Sequence, residues 1–167
     1  YTNEASQFVE INGMQVHYRD EGVGEAIVLL HGTAASLHTW NDWTNVLKKN
    51  YRVIRLDLPA FGLTGPHPQH DYRIESYRKF LHKFIEQLQV DIFHLAGNSL
   101  GGNIAWDYAA TYPDRVQKLI LLDPSGYPMN REVSWIFKVA KTPILNQVLQ
   151  YVTPESIIKA NLEQVYV

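Results

Sequence analysis

Continuous hydrophobic runs recur along the chain and end at polar or turn-forming residues. The run AIVLL at residues 26–30 is apolar throughout, which is typical of a strand buried on both faces of a sheet. The stretches YRVIRLD at residues 51–57 and DIFHLA at residues 91–96 are also predicted to be strands, and residues 116–122 a further buried strand. Two shorter runs, FVEI and MQVHY, flank Asn12-Gly13 and predict an antiparallel hairpin.

Between these strands, apolar residues recur at helical spacing. The clearest case is a stretch whose apolar positions alternate with charged ones and fall on one helical face: Ile74, Tyr77, Leu81, Phe84, Ile85 and Leu88. Helices are also predicted over residues 39–49 and 100–112. Because strands and helices alternate, the predicted fold class is α/β, a mostly parallel sheet with helices on both faces.

The pattern changes after Pro128. Apolar residues continue at helical spacing, no strand-like run follows, and Thr153-Pro154-Glu155 has the residues of a helix start. We therefore divide the chain into an α/β core at residues 1–128 and the start of a helical layer at residues 129–167.

Composition narrows the function classes. The 167 residues suit one domain, and a net charge of −2 gives no indication of nucleic-acid binding or of an anionic membrane surface. No apolar run approaches the roughly 18 residues of a membrane span. The chain has no cysteine, which excludes disulfides, a thiol nucleophile and a cysteine-ligated metal. No metal-ligand spacing such as HExxH occurs, so we predict neither a metal nor a cofactor.

The stretch LAGNSLGG at residues 95–102 places a serine between glycines where a predicted strand ends and a helix begins. This is the G-x-S-x-G pattern in the strand–turn–helix context of a nucleophile elbow. The positive end of the following helix favours a developing oxyanion. We predict that Ser99 is a nucleophile; the alternative is a capping serine in an ordinary glycine-rich loop.

An oxyanion needs two donors, one after the nucleophile and one from an earlier loop. Leu100 N–H is the first. The stretch HGTAAS, which follows the run at 26–30, offers the second donor; Thr33 N–H is the preferred candidate and Ala34 N–H the next. The alternative is that this stretch is a plain strand-to-helix loop. Gly32, Ala34 and Asn98 are the predicted substrate-binding residues of this region.

Four stretches, LLHGTAAS, VIRLDLPAFGLTGP, HLAGNSLGG and YPDRVQKLILLDPSGYP, resemble the α/β-hydrolase family in order and spacing, over about residues 8 to 128. The elbow resembles those of serine esterases, lipases and carbon–carbon bond hydrolases. The dehalogenases and epoxide hydrolases of the family carry aspartate where Ser99 stands. One departure is Ala60, where the family pattern has glycine.

The resemblance implies a triad in the order Ser, Asp or Glu, His. Every histidine of the chain precedes Ser99: His17, His31, His38, His67, His70, His82 and His94. We interpret His31 as shaping the oxyanion loop and His94 as a packed sheet residue. His38, His67 and His70 are expected in solvent or at the pocket rim, and His17 and His82 at the surface. Asp57 is interpreted as a loop-organising carboxylate.

Asp123, at the end of the strand 116–122, is a candidate triad acid, although many family members place the acid after the next strand.

The strands of this chain reach the sixth of the family's eight. The resemblance therefore implies that the last strands, the histidine and the acid lie beyond Val167, in the remainder of the same protein. The helices after residue 129 would begin a cap, where Trp135 lines an apolar pocket or packs in a core.

Three functions follow as expectations. The first is a serine hydrolase that cleaves a small-molecule ester with an apolar acyl group through an acyl-enzyme on Ser99. The second is a carbon–carbon bond hydrolase of a dienoic ring-cleavage product, whose carboxylate would require an arginine such as Arg131. The third belongs to another class, a non-catalytic ligand-binding module on the same fold, which suits the missing histidine but not the intact elbow.

Overall fold

A computed structural model of the chain describes residues 1–126; the predicted cap, with Arg131 and Trp135, lies outside the described residues. The described elements, in chain order, are β1 (Ser6–Ile11), β2 (Met14–Glu21), β3 (Glu25–Leu30), a 3-10 turn (Leu37–Trp40), α1 (Asn41–Leu47), β4 (Tyr51–Leu56), α2 (Ile74–Gln87), β5 (Phe93–Asn98), α3 (Leu100–Thr111), a second 3-10 turn (Pro113–Arg115) and β6 (Val116–Leu122). None of these helices is long and apolar enough to cross a membrane.

The six strands form one sheet in the order β1-β2-β4-β3-β5-β6. The predicted hairpin joins β1 to β2, with Ile11 opposite Met14 and with positive φ at Asn12 (52°) and Gly13 (81°). Strand β2 pairs antiparallel with β4, and β4, β3, β5 and β6 are parallel. The sheet is therefore mixed and mostly parallel, as predicted.

The parallel strands bring several predicted residues to one edge of the sheet. His31 follows β3, Asp57 follows β4, Ser99 follows β5 and Asp123 follows β6. Because the carboxyl ends of parallel strands meet at the same edge, loops far apart in sequence become neighbours there. This is the edge at which open α/β sheets bind ligands.

Helices cover both faces of the sheet. Side chains alternate along β3, so Val28 and Leu30 join the core that contains α2 and α3, whereas Ile27 and Leu29 join a second core with Trp40. The second core lies on the face of the 3-10 turn and α1. Both faces of β3 are buried, which explains its continuous apolar run.

Three predicted elements need correction. The strand predicted over 91–96 is Phe93–Asn98, and the helix predicted over 39–49 is a 3-10 turn followed by α1, Asn41–Leu47. Strand β6 has the predicted bounds but is not fully buried, and Leu119 is 38% exposed. Within residues 1–126, β6 pairs only with β5, so its other side has no neighbouring strand.

Candidate active site

Ser99 occupies the turn between β5 and α3 in a conformation that L-residues rarely adopt. Its φ is 50° and its ψ is −112°. Such backbone strain costs about 1–3 kcal/mol and persists only where surrounding contacts enforce it. The Ser99 side chain makes no capping bond to α3, so it does not serve as a capping serine. The half-buried hydroxyl has no hydrogen-bond partner among residues 1–126.

The small residues of the elbow, defined as residues 97–101, are required by close backbone contacts. A Cβ on Gly97 would overlap the Gly101 carbonyl, and a Cβ on Gly101 would overlap the Leu30 carbonyl. The start of α3 therefore packs directly on the end of β3. Gly32 lies close to Ser99, because a Cβ on Gly32 would be 3.1 Å from the Ser99 Cβ. The loop after β3 and the elbow are thus in contact.

Hydrogen bonds fix the Ser99 backbone on both sides. Ser99 N–H donates to the Leu122 carbonyl at 3.0 Å. The Ser99 carbonyl accepts from Asn103 N–H at 3.0 Å, Ser125 N–H at 3.0 Å and Ser125 Oγ at 3.3 Å. Asn98 Nδ2 also donates to Leu122 O, at 3.3 Å, so the side chain of this predicted substrate-binding residue is anchored to the end of β6.

His31 organises the loop after β3. Its ring is fully buried, Nε2 accepts from Leu58 N–H at 3.0 Å, and Nδ1 therefore carries the proton and donates to the Gly32 carbonyl at 2.7 Å. Burial lowers the pKa of His31 below its usual value, which keeps the ring neutral. With both ring nitrogens bonded to backbone, His31 has no nitrogen left to act as a base towards Ser99.

The predicted oxyanion donor Thr33 N–H shares a peptide unit with the Gly32 carbonyl. A trans peptide points its N–H and C=O in opposite directions. The bond from His31 to the Gly32 carbonyl therefore turns the Thr33 N–H away from the His31 ring. Thr33 and Ala34 are exposed, and Ala34 has a φ of 56°. The chain thus makes a tight, left-handed turn beside Ser99.

His17 was expected at the surface, and this prediction is wrong. The side chain is fully buried, and its Nδ1 lies 2.8 Å from Asp57 Oδ2. Asp57 also accepts from Leu37 N–H at 2.8 Å and from Leu63 N–H at 2.9 Å, in agreement with its predicted loop-organising role. The rings of Tyr1 and Phe8 lie against the His17 ring, at centroid distances of 6.1 and 5.0 Å.

This buried pair, His17 and Asp57, is not the acid and base of a serine triad. Strand β2 is three strand positions from β5, or about 14 Å at the usual spacing, whereas a base must be within about 3.2 Å of the hydroxyl. Proximity of a histidine to an aspartate therefore does not identify a catalytic base here.

The remaining histidines also have other surroundings. His94 is buried in the sheet as predicted, with Nε2 3.3 Å from Glu25 Oε2. His82, expected at the surface, is half-buried because it stacks on Tyr112 at a centroid distance of 4.3 Å. His38 and His67 are partly exposed and His70 is exposed. Within the described part of the chain, no histidine is bonded to Ser99.

Asp123 is exposed and directly follows β6, with a φ of 41°. Its neighbour Leu122 is bonded to the elbow through its carbonyl, so Asp123 lies at the same edge as Ser99. Its side chain makes no hydrogen bond within residues 1–126. Sequence reasoning missed Ser125; the only signal was a Ser-Gly pair after the strand next to β5.

The sheet order, the strained serine and the loop beside it define the α/β-hydrolase fold. The sequence profile of the alpha/beta hydrolase fold family matches residues 25–141, and the chain belongs to this family.

Curated relatives include enzymes named as hydrolases of 2-hydroxy-6-oxo-dienoates. The 2-hydroxy-6-oxo-2,4-heptadienoate hydrolase of Pseudomonas putida is 34% identical over 127 residues, which cover 74% of this chain and 46% of that protein. The 2-hydroxy-6-oxo-6-phenylhexa-2,4-dienoate hydrolase of Burkholderia cepacia is 32% identical, over 87% of this chain and 56% of that protein. The chain spans about half the length of these relatives.

Among solved structures, a membrane phospholipase A described as a bacterial virulence factor is similar, with a TM-score of 0.75 and 29% identity. The match covers 89% of this chain and 53% of that one.

Proposed function

We propose that this chain carries the nucleophile and oxyanion hole of a serine hydrolase that cleaves a carboxylic ester. The observation that supports this most is the Ser99 turn, whose backbone is strained while its hydroxyl has no hydrogen-bond partner within residues 1–126. Strain of this kind is retained where a function needs the geometry. A serine that only capped α3 would have no need of a positive φ.

In the proposed reaction, Ser99 Oγ attacks the ester carbonyl and forms a tetrahedral intermediate. Its oxyanion accepts hydrogen bonds from Leu100 N–H, at the positive end of α3, and from Thr33 N–H. The proton passes to a histidine base outside the described residues and then to the leaving alcohol. Water then hydrolyses the acyl-enzyme by the same route. Asp123 is one candidate for the acid that orients the base.

The test is ester turnover by the full-length protein. With p-nitrophenyl butyrate we expect a burst of nitrophenol equal to the amount of enzyme, followed by slower steady turnover, because the acyl-enzyme forms and then hydrolyses. Ser99→Ala serves as the control and should show neither phase. Steady turnover that survives Ser99→Ala would contradict the proposal.

A second candidate is hydrolysis of a carbon–carbon bond in a dienoic ring-cleavage product. The names of the curated relatives favour it, since two of them at 32–34% identity are hydrolases of such compounds. Its substrate carries a carboxylate, for which Arg131 is a candidate partner.

The two candidates differ in substrate preference. A kcat/KM for a 2-hydroxy-6-oxo-dienoate that exceeds the value for every ester tested would favour the second candidate over the first. Loss of that preference in Arg131→Gln, with ester turnover unchanged, would assign the carboxylate contact. A folded protein that turns over neither substrate and binds a ligand reversibly would instead support the binding-module alternative.

A further inference from the structure

The turn after β6, defined as residues 123–126, is hydrogen-bonded to the backbone of the elbow. Ser125 donates two hydrogen bonds to one acceptor, the Ser99 carbonyl, from N–H at 3.0 Å and from Oγ at 3.3 Å. Asn103 N–H supplies a third, at 3.0 Å. A carbonyl oxygen has two lone pairs, so the Ser99 carbonyl, which accepts from three donors, has no remaining acceptor capacity.

That carbonyl belongs to the same peptide unit as Leu100 N–H. Because the unit is planar and trans, donors gathered on the Ser99 oxygen fix the direction of the Leu100 N–H on the opposite side. Hydrogen bonds on the oxygen also polarise the unit and strengthen its N–H as a donor. The Ser125 hydroxyl therefore acts on the predicted oxyanion donor without facing the substrate.

The second predicted donor has the same arrangement. The Gly32 carbonyl, in one peptide unit with Thr33 N–H, accepts from His31 Nδ1 at 2.7 Å. In each of the two peptide units predicted to bind the oxyanion, the carbonyl opposite the N–H therefore accepts a hydrogen bond from a side chain. The two side chains come from different loops. An ordinary strand-to-helix turn would need neither.

Other contacts hold the turn after β6 in place independently of the Ser125 hydroxyl. Trp106 Nε1 donates to the Ser125 carbonyl at 3.4 Å. A Cβ on Gly102 would come within 2.8 Å of Pro124 Cβ, which shows that the turn packs closely on α3. Removal of the hydroxyl alone should therefore leave the turn in position.

We propose that Ser125 is a positioning residue of the oxyanion hole, which orients and polarises the Leu100 N–H through the Ser99 carbonyl. The proposal rests on the proposed function, since it assigns a role to a peptide that would bind the oxyanion. If that function holds, loss of the Ser125 hydroxyl weakens transition-state binding and not substrate binding.

The test compares Ser125→Ala with Thr111→Ala in the full-length protein. Thr111 is a matched control, because its hydroxyl also donates to a backbone carbonyl, Asp107 O at 2.8 Å, at the far end of α3. Benzeneboronic acid is the probe, since its tetrahedral adduct with a serine places an oxygen where the oxyanion forms. We expect Ser125→Ala to lower both the affinity for the boronic acid and kcat about fivefold, which corresponds to one ordinary hydrogen bond. KM should not change. Ser125→Thr should restore both the affinity and kcat.

A second readout does not depend on activity. The amide nitrogen of Leu100 senses the hydrogen bonds on the preceding carbonyl, so its NMR resonance should move in Ser125→Ala and stay in place in Thr111→Ala. Unchanged boronate affinity in Ser125→Ala, or an equal loss in Thr111→Ala, would overturn the positioning role. If the wild-type protein does not bind the boronate, the proposed function fails. The role in an oxyanion hole fails with it, and the Leu100 resonance then decides only whether the Ser125 hydroxyl polarises this peptide; an unmoved resonance excludes that as well.

Discussion

The elbow and the buried pair of His17 and Asp57 lie at the same edge of the sheet and differ in the accessibility of their polar side chains. In the elbow, backbone bonds hold Ser99 at a φ of 50°, while its hydroxyl has no partner within the described residues. In the buried pair, His17 and Asp57 bond each other at 2.8 Å, and both side chains are fully buried. The elbow holds a strained backbone and leaves a hydroxyl unbonded. In the buried pair, the Asp57 carboxylate bonds His17 and two backbone N–H groups, and His17 Nε2 is the nitrogen left without a partner among the described residues. Burial and accessibility, more than residue type, therefore distinguish the candidate site from the buried structural pair.

Replacing Ser99 by glycine removes the backbone strain of the elbow. We expect Ser99→Gly to lower ester turnover at least about 10⁴-fold, because the proposed nucleophile is lost. The same variant should gain about 1 kcal/mol of unfolding free energy, because glycine tolerates a positive φ. Ser99→Ala is the matched control, with equal loss of turnover and no comparable gain. Equal stability of the two variants in urea denaturation would show that the turn is not strained.

The buried pair should give the opposite result. Asp57→Ala leaves two backbone N–H groups and the His17 ring without their acceptor, so we expect the free energy of unfolding to fall by about 3–5 kcal/mol. Asp107→Ala is the control, since its ion pair with Arg78 is partly exposed and should cost about 1 kcal/mol or less. Urea denaturation measures both, and similar losses would refute the structural role of Asp57.

His31 makes stability depend on pH. Its pKa is lowered by burial, so the unfolded chain binds a proton that the folded chain does not. The folded state should therefore lose stability as pH falls below about 6.5, by at most about 1.4 kcal/mol per pH unit from this group. The pH slope of unfolding free energy should be smaller in His31→Gln. Parallel slopes for wild type and variant would contradict the neutral, doubly bonded ring.

Ala60 gives the smallest expected effect. Its φ of 71° suits glycine, the residue that the family pattern has at this position. Ala60→Gly should raise the unfolding free energy by about 0.5–1 kcal/mol. Ala5→Gly is the control, because Ala5 lacks a positive φ and should lose stability through the greater entropy of the unfolded chain. Thermal unfolding of both variants gives the signs, and a loss in Ala60→Gly would show that this turn is not strained.

Much of the fold was predictable because its signals are local. The continuous run in β3, the Asn12-Gly13 turn and the helical spacing of α2 each follow from a few adjacent residues. The Ser99 turn was predictable for the same reason, since its glycines stand beside it in the chain.

The rest of the site depends on contacts that periodicity does not record. His17 is buried because Tyr1 and Phe8 cover a face of β2 that alternates like an exposed one. Ser125 reaches Ser99 because β6 pairs with β5, a contact between loops 26 residues apart. Neither pattern nor composition indicates which side-chain oxygen bonds a distant carbonyl.

Reaction with a fluorophosphonate tests whether Ser99 is an activated nucleophile, as we propose. The full-length protein would be labelled, digested with trypsin and analysed by mass spectrometry. We predict one adduct, on the peptide Phe84–Arg115, whose only serine is Ser99, and no adduct there in Ser99→Ala. A folded protein with no adduct on this peptide, or with the same adduct in Ser99→Ala, would contradict the claim.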